Sequence, residues 1–214
     1  MKNVLYLHGF ASSPAGRKVG LLADLLAPRG LRIVAPDLNV PSFRQLDFQA
    51  IVRRALDEAR LHAPVVIVGS SLGAVAALEA ARLGARAPLV LIAPAIGFGR
   101  RWTEKLPPGD PLLFLHHAEG KELPIHRRFF EELAARGDDT KPPSAPVVVV
   151  MGANDESVPA DHVREVWKAW ESSGGLAPGS RFVEIPGGDH GLVEHVGTIA
   201  RTILDQADEQ REVP

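Results

Sequence analysis

Six short runs of apolar, mostly β-forming residues recur along the chain and constrain its fold more than any other feature. They occupy residues 3–8, 31–36, 64–69, 87–94, 145–152 and 180–186. Most of the runs are continuous rather than alternating, which is typical of strands covered on both faces. Segments with helical spacing lie between them, at residues 16–29, 42–62, 72–85, 122–136, 160–172 and 191–208. This alternation predicts an α/β fold in which a mostly parallel sheet of six strands has helices on both faces.

The composition fits a single domain over residues 1–214. The chain has 45% hydrophobic residues, enough for one substantial core, and its 24 Lys and Arg nearly balance its 26 Asp and Glu. Such a balance provides no broad positive field to attract nucleic acid or anionic lipid, so we expect no nucleic-acid partner. The sequence contains no cysteine, which excludes disulfides and thiolate sites.

The apolar stretches are too short to cross a bilayer, which takes about 20 residues. The longest mostly apolar ones are residues 87–98 and 145–153. The opening sequence MKNVLYLHGF has one lysine and an apolar run too short for the core of a signal peptide. We therefore expect no membrane span and a cytoplasmic protein.

One connection between predicted strands is much longer than the others. About fifty residues run from Ala95 to Ala145, and they are rich in proline, paired arginines and aromatic side chains. A plain crossover needs only about a dozen residues. We interpret residues 95–145 as an inserted cap with a helix near 122–136. The alternative is an elaborated crossover that packs elsewhere on the surface.

The sequence Gly-Ser-Ser-Leu-Gly at residues 69–73 places Ser71 at the centre of a G-x-S-x-G motif, between a predicted strand and a predicted helix. Such a turn strains the backbone of its central residue, and side chains two positions away on either side would collide. Glycine at positions 69 and 73 removes both collisions and leaves the Ser71 hydroxyl exposed. Ser70 lacks this pair of glycines, so we expect it to pack or to form a local hydrogen bond. Small residues at such a junction also serve close packing, which is the non-catalytic interpretation.

A nucleophilic serine needs a base, and the base needs an orienting acid. Asp155 follows the apolar run 145–152, and His190 follows the run 180–186 on a glycine-flanked loop. Loops at the carboxyl ends of parallel strands meet at one edge of the sheet. The sequence therefore predicts that Ser71, Asp155 and His190 converge.

Other residues compete for the acid and base roles. Asn154 or Glu156 are alternative acids, and Asp155 is also placed to cap a helix that begins near Pro159. The remaining histidines fit surface or packing positions better than a catalytic one; they are His8, His62, His116, His117, His126, His162 and His195.

Ester hydrolysis also needs hydrogen-bond donors for the oxyanion that develops on the substrate. We expect one donor to be the backbone N–H of Leu72, the residue after the nucleophile, and the second to come from the loop after the first strand. Phe10 is our choice within that loop. His8, two residues earlier, is expected to tie the loop down.

The adjacent histidines His116 and His117, with Glu119 nearby, raise the alternative of a metal site. Adjacent histidines do not share a helix face, and the sequence offers no clear third ligand. We therefore expect no metal and no cofactor.

Four segments together resemble the α/β-hydrolase superfamily across nearly the full chain: YLHGFASSP, GSSLG, GANDESVP and GGDHG, in the superfamily's order. The segments YLHGFASSPAGRK and PDLNVPSF are similar to the small bacterial esterase-like hydrolases of the YqiA type. This resemblance implies the α/β-hydrolase fold, a catalytic triad of Ser71, Asp155 and His190, and an oxyanion hole at Phe10 and Leu72. It also implies no cofactor and an ester or thioester substrate.

The leading hypothesis is a serine hydrolase that cleaves carboxylic esters of a small or medium acyl group through an acyl-enzyme on Ser71. An acyl thioesterase with the same triad is one alternative. A non-catalytic small-molecule receptor with the same fold is another. The aromatic residues of the predicted cap would suit apolar acyl groups or would simply form its core; they are Trp102, Phe114, Phe129 and Phe130.

Overall fold

The computed structural model describes residues 1–136 and 141–209 of the chain. Within these ranges the strands are β1 (Lys2–Leu7), β2 (Leu31–Val34), β3 (Val66–Ser70), β4 (Leu89–Ile92), β5 (Leu112–His116), β6 (Lys121–Ile125), β7 (Val147–Gly152) and β8 (Arg181–Ile185). The α-helices are α1 (Arg17–Leu26), α2 (Phe48–His62), α3 (Leu72–Arg82), α4 (Phe98–Lys105), α5 (Arg128–Ala135), α6 (Ala160–Ser172) and α7 (Val196–Glu209). Short 3-10 turns lie at Ala27–Arg29, Phe43–Gln45 and Val193–His195.

Six of these strands form one parallel sheet in the order β2-β1-β3-β4-β7-β8. Every residue of β3, β4 and β7 is buried, as continuous apolar runs predict for strands covered on both faces. All six predicted strands are present within a few residues of their expected bounds. The predicted parallel six-stranded α/β fold is confirmed.

Helices cover both faces of the sheet because alternate side chains of each strand point to opposite sides. On one face, Leu5, Ile67 and Leu91 join a core with α2, α3 and α6. On the other face, Val4 and Val68 pack against α1 and α7. This arrangement leaves the carboxyl edge of the sheet open for loops, which is where sites form in such folds.

The chain between β4 and β7, residues 93–146, forms helix α4, the antiparallel hairpin β5–β6 and helix α5; we call it the β4–β7 segment. It lies over the loop that follows β1. The backbone N–H of His117 donates to the carbonyl oxygen of Ala11 at 2.8 Å. The backbone N–H of His126 donates to the carbonyl oxygen of Arg44 at 3.0 Å. Residues 137–140 of the predicted 95–145 insertion lie outside the described residues.

The prediction of a helix over 122–136 was wrong in its first part. Lys121–Ile125 is strand β6, paired with Leu112–His116, and the helix begins only at Arg128. The pattern Leu-Leu-Phe-Leu-His at 112–116 alternates between buried and more exposed positions, with a period of two that indicates a half-buried strand. The hairpin and helix α4 were not predicted.

The structure contains no membrane-spanning candidate among its described helices, since none combines sufficient length with sufficient apolar character.

Candidate active site

Ser71 lies at the turn between β3 and α3 with backbone angles of φ 53° and ψ −114°. A positive φ is unfavourable for a residue with a side chain, so the surrounding structure must hold this conformation. The backbone N–H of Ser71 donates to the oxygen of Ile92 in β4 at 2.9 Å. The strained turn is therefore tied to the neighbouring strand.

The two glycines of the motif are required by close approach of the backbone. A Cβ at Gly69 would lie 2.5 Å from the Cα of Ala74, and one at Gly73 would overlap the carbonyl oxygen of Leu7 in β1. No real Cβ tolerates such contacts without a shift of the backbone. The two glycines allow α3 to begin in direct contact with the sheet. Ser71 is therefore held at the carboxyl edge of the sheet.

The structure brings Ser71, His190 and Asp155 together in one hydrogen-bonded chain. His190 Nε2 lies 3.1 Å from Ser71 Oγ, and His190 Nδ1 lies 2.8 Å from Asp155 Oδ2. With the carboxylate ionised, Nδ1–H donates to it, so Nε2 carries the lone pair and accepts from the serine hydroxyl. The arrangement can deprotonate Ser71 as its oxygen attacks a carbonyl carbon.

Asp155 is held by its own loop. Its Oδ1 accepts hydrogen bonds from the backbone N–H groups of Ser157 at 2.8 Å and Val158 at 2.7 Å, and its side chain is fully buried. The neighbouring candidates Asn154 and Glu156 are exposed. Asp155 does not cap α6, whose first turn has no side-chain cap. Its two oxygens thus fix the loop and the His190 ring at the same time.

His190 is the histidine whose ring lies at both Ser71 and Asp155; the other described histidines have different surroundings. The loops of the acid and the base are bonded to each other, because Asn154 N–H donates to the oxygen of Gly188 at 2.9 Å. His190 is partly buried, with 30% of its side chain exposed. It is therefore accessible from the open side of the sheet edge.

Phe10 and Leu72, the predicted oxyanion donors, both line the cleft in front of Ser71. The loop after β1 passes beside the Ser71 turn so closely that a Cβ on Gly9 would lie 3.3 Å from the Cβ of Ser71. Within the described part of the chain, neither the Phe10 nor the Leu72 backbone N–H has a hydrogen-bond acceptor. Both donors are left for a ligand.

His8 holds the loop after β1 in place. Its Nε2 accepts from the backbone N–H of Leu38 at 2.9 Å, so Nδ1 carries the proton and donates to the oxygen of Gly9 at 2.9 Å. Burial lowers the pKa of His8, partly offset by the bond to Gly9 and by Asp37. The neutral ring links the Phe10 loop to the loop after β2.

The Ser70 hydroxyl forms a partly buried polar pair with a lysine. Lys18 Nζ donates to Ser70 Oγ at 3.1 Å. Burial lowers the pKa of Lys18 to about 8, while Asp189 and Asp155 act in the opposite direction. Burial also raises the pKa of Tyr6 to about 12, an effect that the Ser70 hydroxyl partly offsets.

A cleft of about 830 Å³ opens in front of Ser71 and His190. The β4–β7 segment forms one wall, with Trp102, Leu106 and Phe114, and α1 contributes Arg17 and Lys18 to the rest. The predicted cap aromatics divide between two roles. Phe129 and Phe130 are 1% and 0% exposed and form core, whereas the other two line the cleft.

Phe10 joins this segment to the sheet edge. Its ring centroid lies 4.8 Å from that of Trp102, 5.3 Å from that of Phe114 and 5.7 Å from that of Phe130. Edge-on contacts of this kind stabilise aromatic pairs by more than the burial of their apolar area alone would. The residue whose backbone faces Ser71 is thus also the anchor of the segment above it.

The two adjacent histidines of the hairpin do not form a metal site with their neighbours. His116 is buried with its ring 4.9 Å from that of Phe43, and His117 lines the cleft. Among the described residues, no group of three or more His, Cys, Asp or Glu side chains is placed to hold a metal ion.

Sequence reasoning missed the three cleft cations, Arg17 and Lys18 of α1 and Lys105 of α4. Residues 16–20 read Gly-Arg-Lys-Val-Gly, the start of an ordinary surface helix. Nothing in that local pattern shows that α1 begins beside Ser70, because the contact joins residues 52 positions apart.

Solved structures of other proteins share this architecture. Alpha/beta hydrolase domain-containing protein 10 from mouse matches with a TM-score of 0.75 and 20% identity over 97% of this chain and 90% of that one. Est1E from Butyrivibrio proteoclasticus, solved with ferulic acid bound, gives 0.74 and 18% over 96% and 89%. Monoacylglycerol lipase from Paleococcus ferrophilus gives 0.73 and 18% over 96% and 93%. At these identities the likeness establishes the α/β-hydrolase fold.

No curated protein matches the chain in sequence. The sequence model of an uncharacterised protein family, UPF0227, matches residues 3–173, which include Ser71 and Asp155. His190 lies beyond the matched residues, in the loop between β8 and α7. The chain belongs to the UPF0227 family and has the α/β-hydrolase fold.

Proposed function

We propose that the protein is a serine hydrolase that cleaves carboxylic esters through an acyl-enzyme on Ser71. The observation that carries the proposal is the hydrogen-bonded chain from Ser71 through His190 to the buried Asp155, open to the cleft. Acyl transfer requires a nucleophile, a base and an orienting acid. Here the serine lies in a strained turn, one ring nitrogen of the histidine can accept its proton, and the buried acid is hydrogen-bonded to the other ring nitrogen.

In the first half of the reaction, His190 Nε2 takes the proton of Ser71 as Oγ forms a bond to the ester carbonyl carbon. The carbonyl oxygen becomes an oxyanion, which accepts hydrogen bonds from the N–H groups of Phe10 and Leu72. His190 then returns its proton to the alcohol oxygen as the carbon–oxygen bond breaks. The alcohol leaves, and the acyl group remains on Ser71.

In the second half, water replaces the alcohol. His190 takes a proton from the water as its oxygen attacks the acyl carbon, and then gives that proton to Ser71 Oγ as the acyl bond breaks. The carboxylic acid leaves and the free enzyme is restored. Asp155 stays ionised throughout; it holds the imidazole in the required tautomer and stabilises the positive charge that forms on the ring.

The β4–β7 segment acts as the cap in this proposal, within one catalytic domain over residues 1–214. Trp102 and Phe114 provide an apolar wall near Ser71, which suits the acyl or alcohol part of a small or medium ester. The fold neighbour named a monoacylglycerol lipase supports an ester substrate. Thioesters use the same steps with a thiol as leaving group, so both substrate types belong in the test.

The test is covalent labelling with a fluorophosphonate, followed by mass-spectrometric mapping of the modified peptide. We expect the label on Ser71. Ser71→Ala should abolish labelling and lower ester turnover by about 10⁴-fold or more, with an unchanged thermal melting temperature. Ser70→Ala is the matched control, since it removes the adjacent hydroxyl and should leave Ser71 reactive.

Oxygen and sulfur esters of the same acyl chain would then separate esterase from thioesterase activity. Labelling at a residue other than Ser71 would contradict the assignment of the nucleophile. Absence of labelling, together with stable binding of intact acetyl esters, would favour a small-molecule receptor instead.

A further inference from the structure

The cleft in front of Ser71 has an uneven charge distribution. Its lining includes three cationic side chains, Arg17, Lys18 and Lys105, and no Asp or Glu among the described lining residues. The protein as a whole is slightly acidic, with a formal net charge of −2. The positive charge is therefore a local feature of this cleft.

Lys18 is the most constrained of the three cations. It donates to Ser70 Oγ at 3.1 Å, which uses one of the three N–H donors of its ammonium group, and the described chain offers the other two no partner. Desolvation of the ammonium group lowers the pKa of Lys18 to about 8, so the group is still largely protonated near neutral pH. A desolvated cation interacts strongly with an anion that reaches it.

Two carboxylates act electrostatically on Lys18, and each accepts a hydrogen bond from another group. Asp155 is bonded to His190, Ser157 and Val158. Asp189 Oδ1 accepts from the N–H of Leu192 at 2.6 Å. Both carboxylates favour the charged form of Lys18, but neither forms an ion pair with it within 4 Å.

The other two cations lie nearer to solvent. Arg17 precedes Lys18 at the start of α1, and Lys105 ends α4 on the facing segment; both are exposed. Neither forms an ion pair within the described residues. The cleft thus offers one partly buried ammonium, bonded to the residue before Ser71, and two exposed cations.

We propose that the natural substrate is an ester that carries an additional anionic group, a carboxylate or a phosphate, which binds Lys18 while Arg17 and Lys105 attract it into the cleft. This inference rests on the proposed ester hydrolysis at Ser71. The anion takes the free donors of the ammonium group, and its charge complements a wall without carboxylates. Lys18 is bonded to Ser70, the chain neighbour of Ser71, so the anion and the scissile bond fit within one small molecule.

The test compares pairs of esters that differ only in the anion. Monomethyl adipate and methyl hexanoate differ by a carboxylate in place of a methyl group on the acid side. Hexanoylglycerol 3-phosphate and hexanoylglycerol differ by a phosphate on the alcohol side. We expect kcat/KM to be at least about tenfold higher for the anionic member of one pair, and the pair that shows it identifies both the anion and its side of the scissile bond.

Lys18→Met should reduce this ratio to near one, since it keeps most of the length of the side chain and removes the charge. Lys168→Met, which removes an exposed charge on α6, should leave the ratio unchanged. Lys105→Met should reduce the ratio less than Lys18→Met, because exposed charges are screened by salt. Thermal melting of each variant shows whether the fold is retained, and Lys105→Met provides a second test if Lys18→Met does not fold.

Protection of Ser71 from fluorophosphonate labelling gives a readout that does not depend on turnover. The anionic ester should slow labelling at a lower concentration than its neutral partner. Equal turnover and equal protection within both pairs would overturn the anionic substrate and leave ester hydrolysis at Ser71 intact. Failure of all four esters, with no labelling of Ser71, would overturn the proposed hydrolysis itself.

Discussion

The loops at the carboxyl edge of the sheet and the β4–β7 segment above them face the same cleft but are built differently. The edge loops are fixed by backbone geometry: a positive φ at Ser71, overlap at Gly73 if a Cβ is added, and a backbone hydrogen bond from Asn154 to Gly188. The segment is fixed mainly by side chains, with Phe10 packed against its aromatic residues. The edge loops carry the proposed reacting groups, whereas the segment shapes what reaches them.

The two regions meet different requirements, the positioning of reacting groups and the selection of a substrate. Reacting groups must be held within a fraction of an ångström, which strained backbone and buried hydrogen bonds achieve. A wall that selects a substrate needs shape and charge, and side-chain packing supplies both without a fixed backbone motif. The comparison therefore predicts that changes in the reacting groups of the edge loops affect every substrate. Changes in the surrounding walls of the cleft, in the segment and at Lys18 of α1, should affect some substrates more than others.

The largest effect is expected for Asp155→Asn. The amide oxygen can keep the bonds from Ser157 and Val158, so its NH₂ group faces His190 and donates to Nδ1. The ring then carries its proton on Nε2 and cannot accept the proton of Ser71. Turnover of every ester should fall by about 10⁴-fold while the melting temperature changes little.

Asp24→Asn is the control for this variant, since Asp24 is exposed on α1. Ester hydrolysis and thermal melting measured side by side distinguish the two. An Asp155→Asn enzyme that keeps most of its turnover would show that the acid does not set the His190 tautomer, and the catalytic role of the edge loops would need another basis.

An intermediate effect is expected from a pair of glycine substitutions that place a Cβ against backbone in each region. Gly73→Ala would push α3 away from Leu7, with a loss of about 1–3 kcal/mol in stability and about 100-fold in turnover of all esters. Gly99→Ala would place its Cβ 2.6 Å from the carbonyl carbon of Leu133 and separate α4 from α5. Because α4 carries no proposed reacting group, turnover of a small acetyl ester should fall only a few-fold.

Gly197→Ala is the neutral reference, because a Cβ at that position of α7 meets nothing within 4 Å. The measurements are thermal melting and acetyl ester hydrolysis for all three variants. If Gly99→Ala lowered acetyl ester turnover as strongly as Gly73→Ala, the segment would take part in the chemistry and the comparison would fail.

The same division explains what the sequence could predict. The runs at 64–69 and 145–152 are continuous and apolar because both faces of β3 and β7 are buried, so periodicity identified these strands. Ser71 was identifiable because its glycine neighbours are a steric requirement of the turn. The nearness of Asp155 and His190 followed from the rule that parallel strands end at one edge.

The β4–β7 segment offered weaker signals. The apolar positions of residues 122–136 have helical spacing, which favoured one continuous helix. Pro124 is accommodated because β6 belongs to a two-stranded sheet and pairs only with β5. Lys18 was missed for a different reason: its role depends on a contact with Ser70 that only the folded chain creates.

The smallest effect, and the one that tells whether helix α1 on the sheet side of the cleft contributes to substrate selection, is the pH dependence of the proposed preference for anionic esters. The ammonium group of Lys18 is charged below its pKa of about 8 and neutral above it. The ratio of kcat/KM between anionic and neutral esters should therefore be steady below about pH 7 and fall about fivefold between about pH 7 and about pH 9. Effects of pH on the shared catalytic steps apply to both esters and cancel in the ratio, and spontaneous hydrolysis is subtracted with Ser71→Ala. In Lys18→Met the ratio should be low and independent of pH over the same range.

A wild-type ratio that stayed high at about pH 9 would show that the anion binds a group that keeps its proton there. The guanidinium of Arg17 is such a group, because an arginine does not titrate in this range. Since Arg17 also belongs to α1, selection by charge would then still come from the sheet side of the cleft, whereas a ratio governed by Lys105→Met would assign it to the β4–β7 segment.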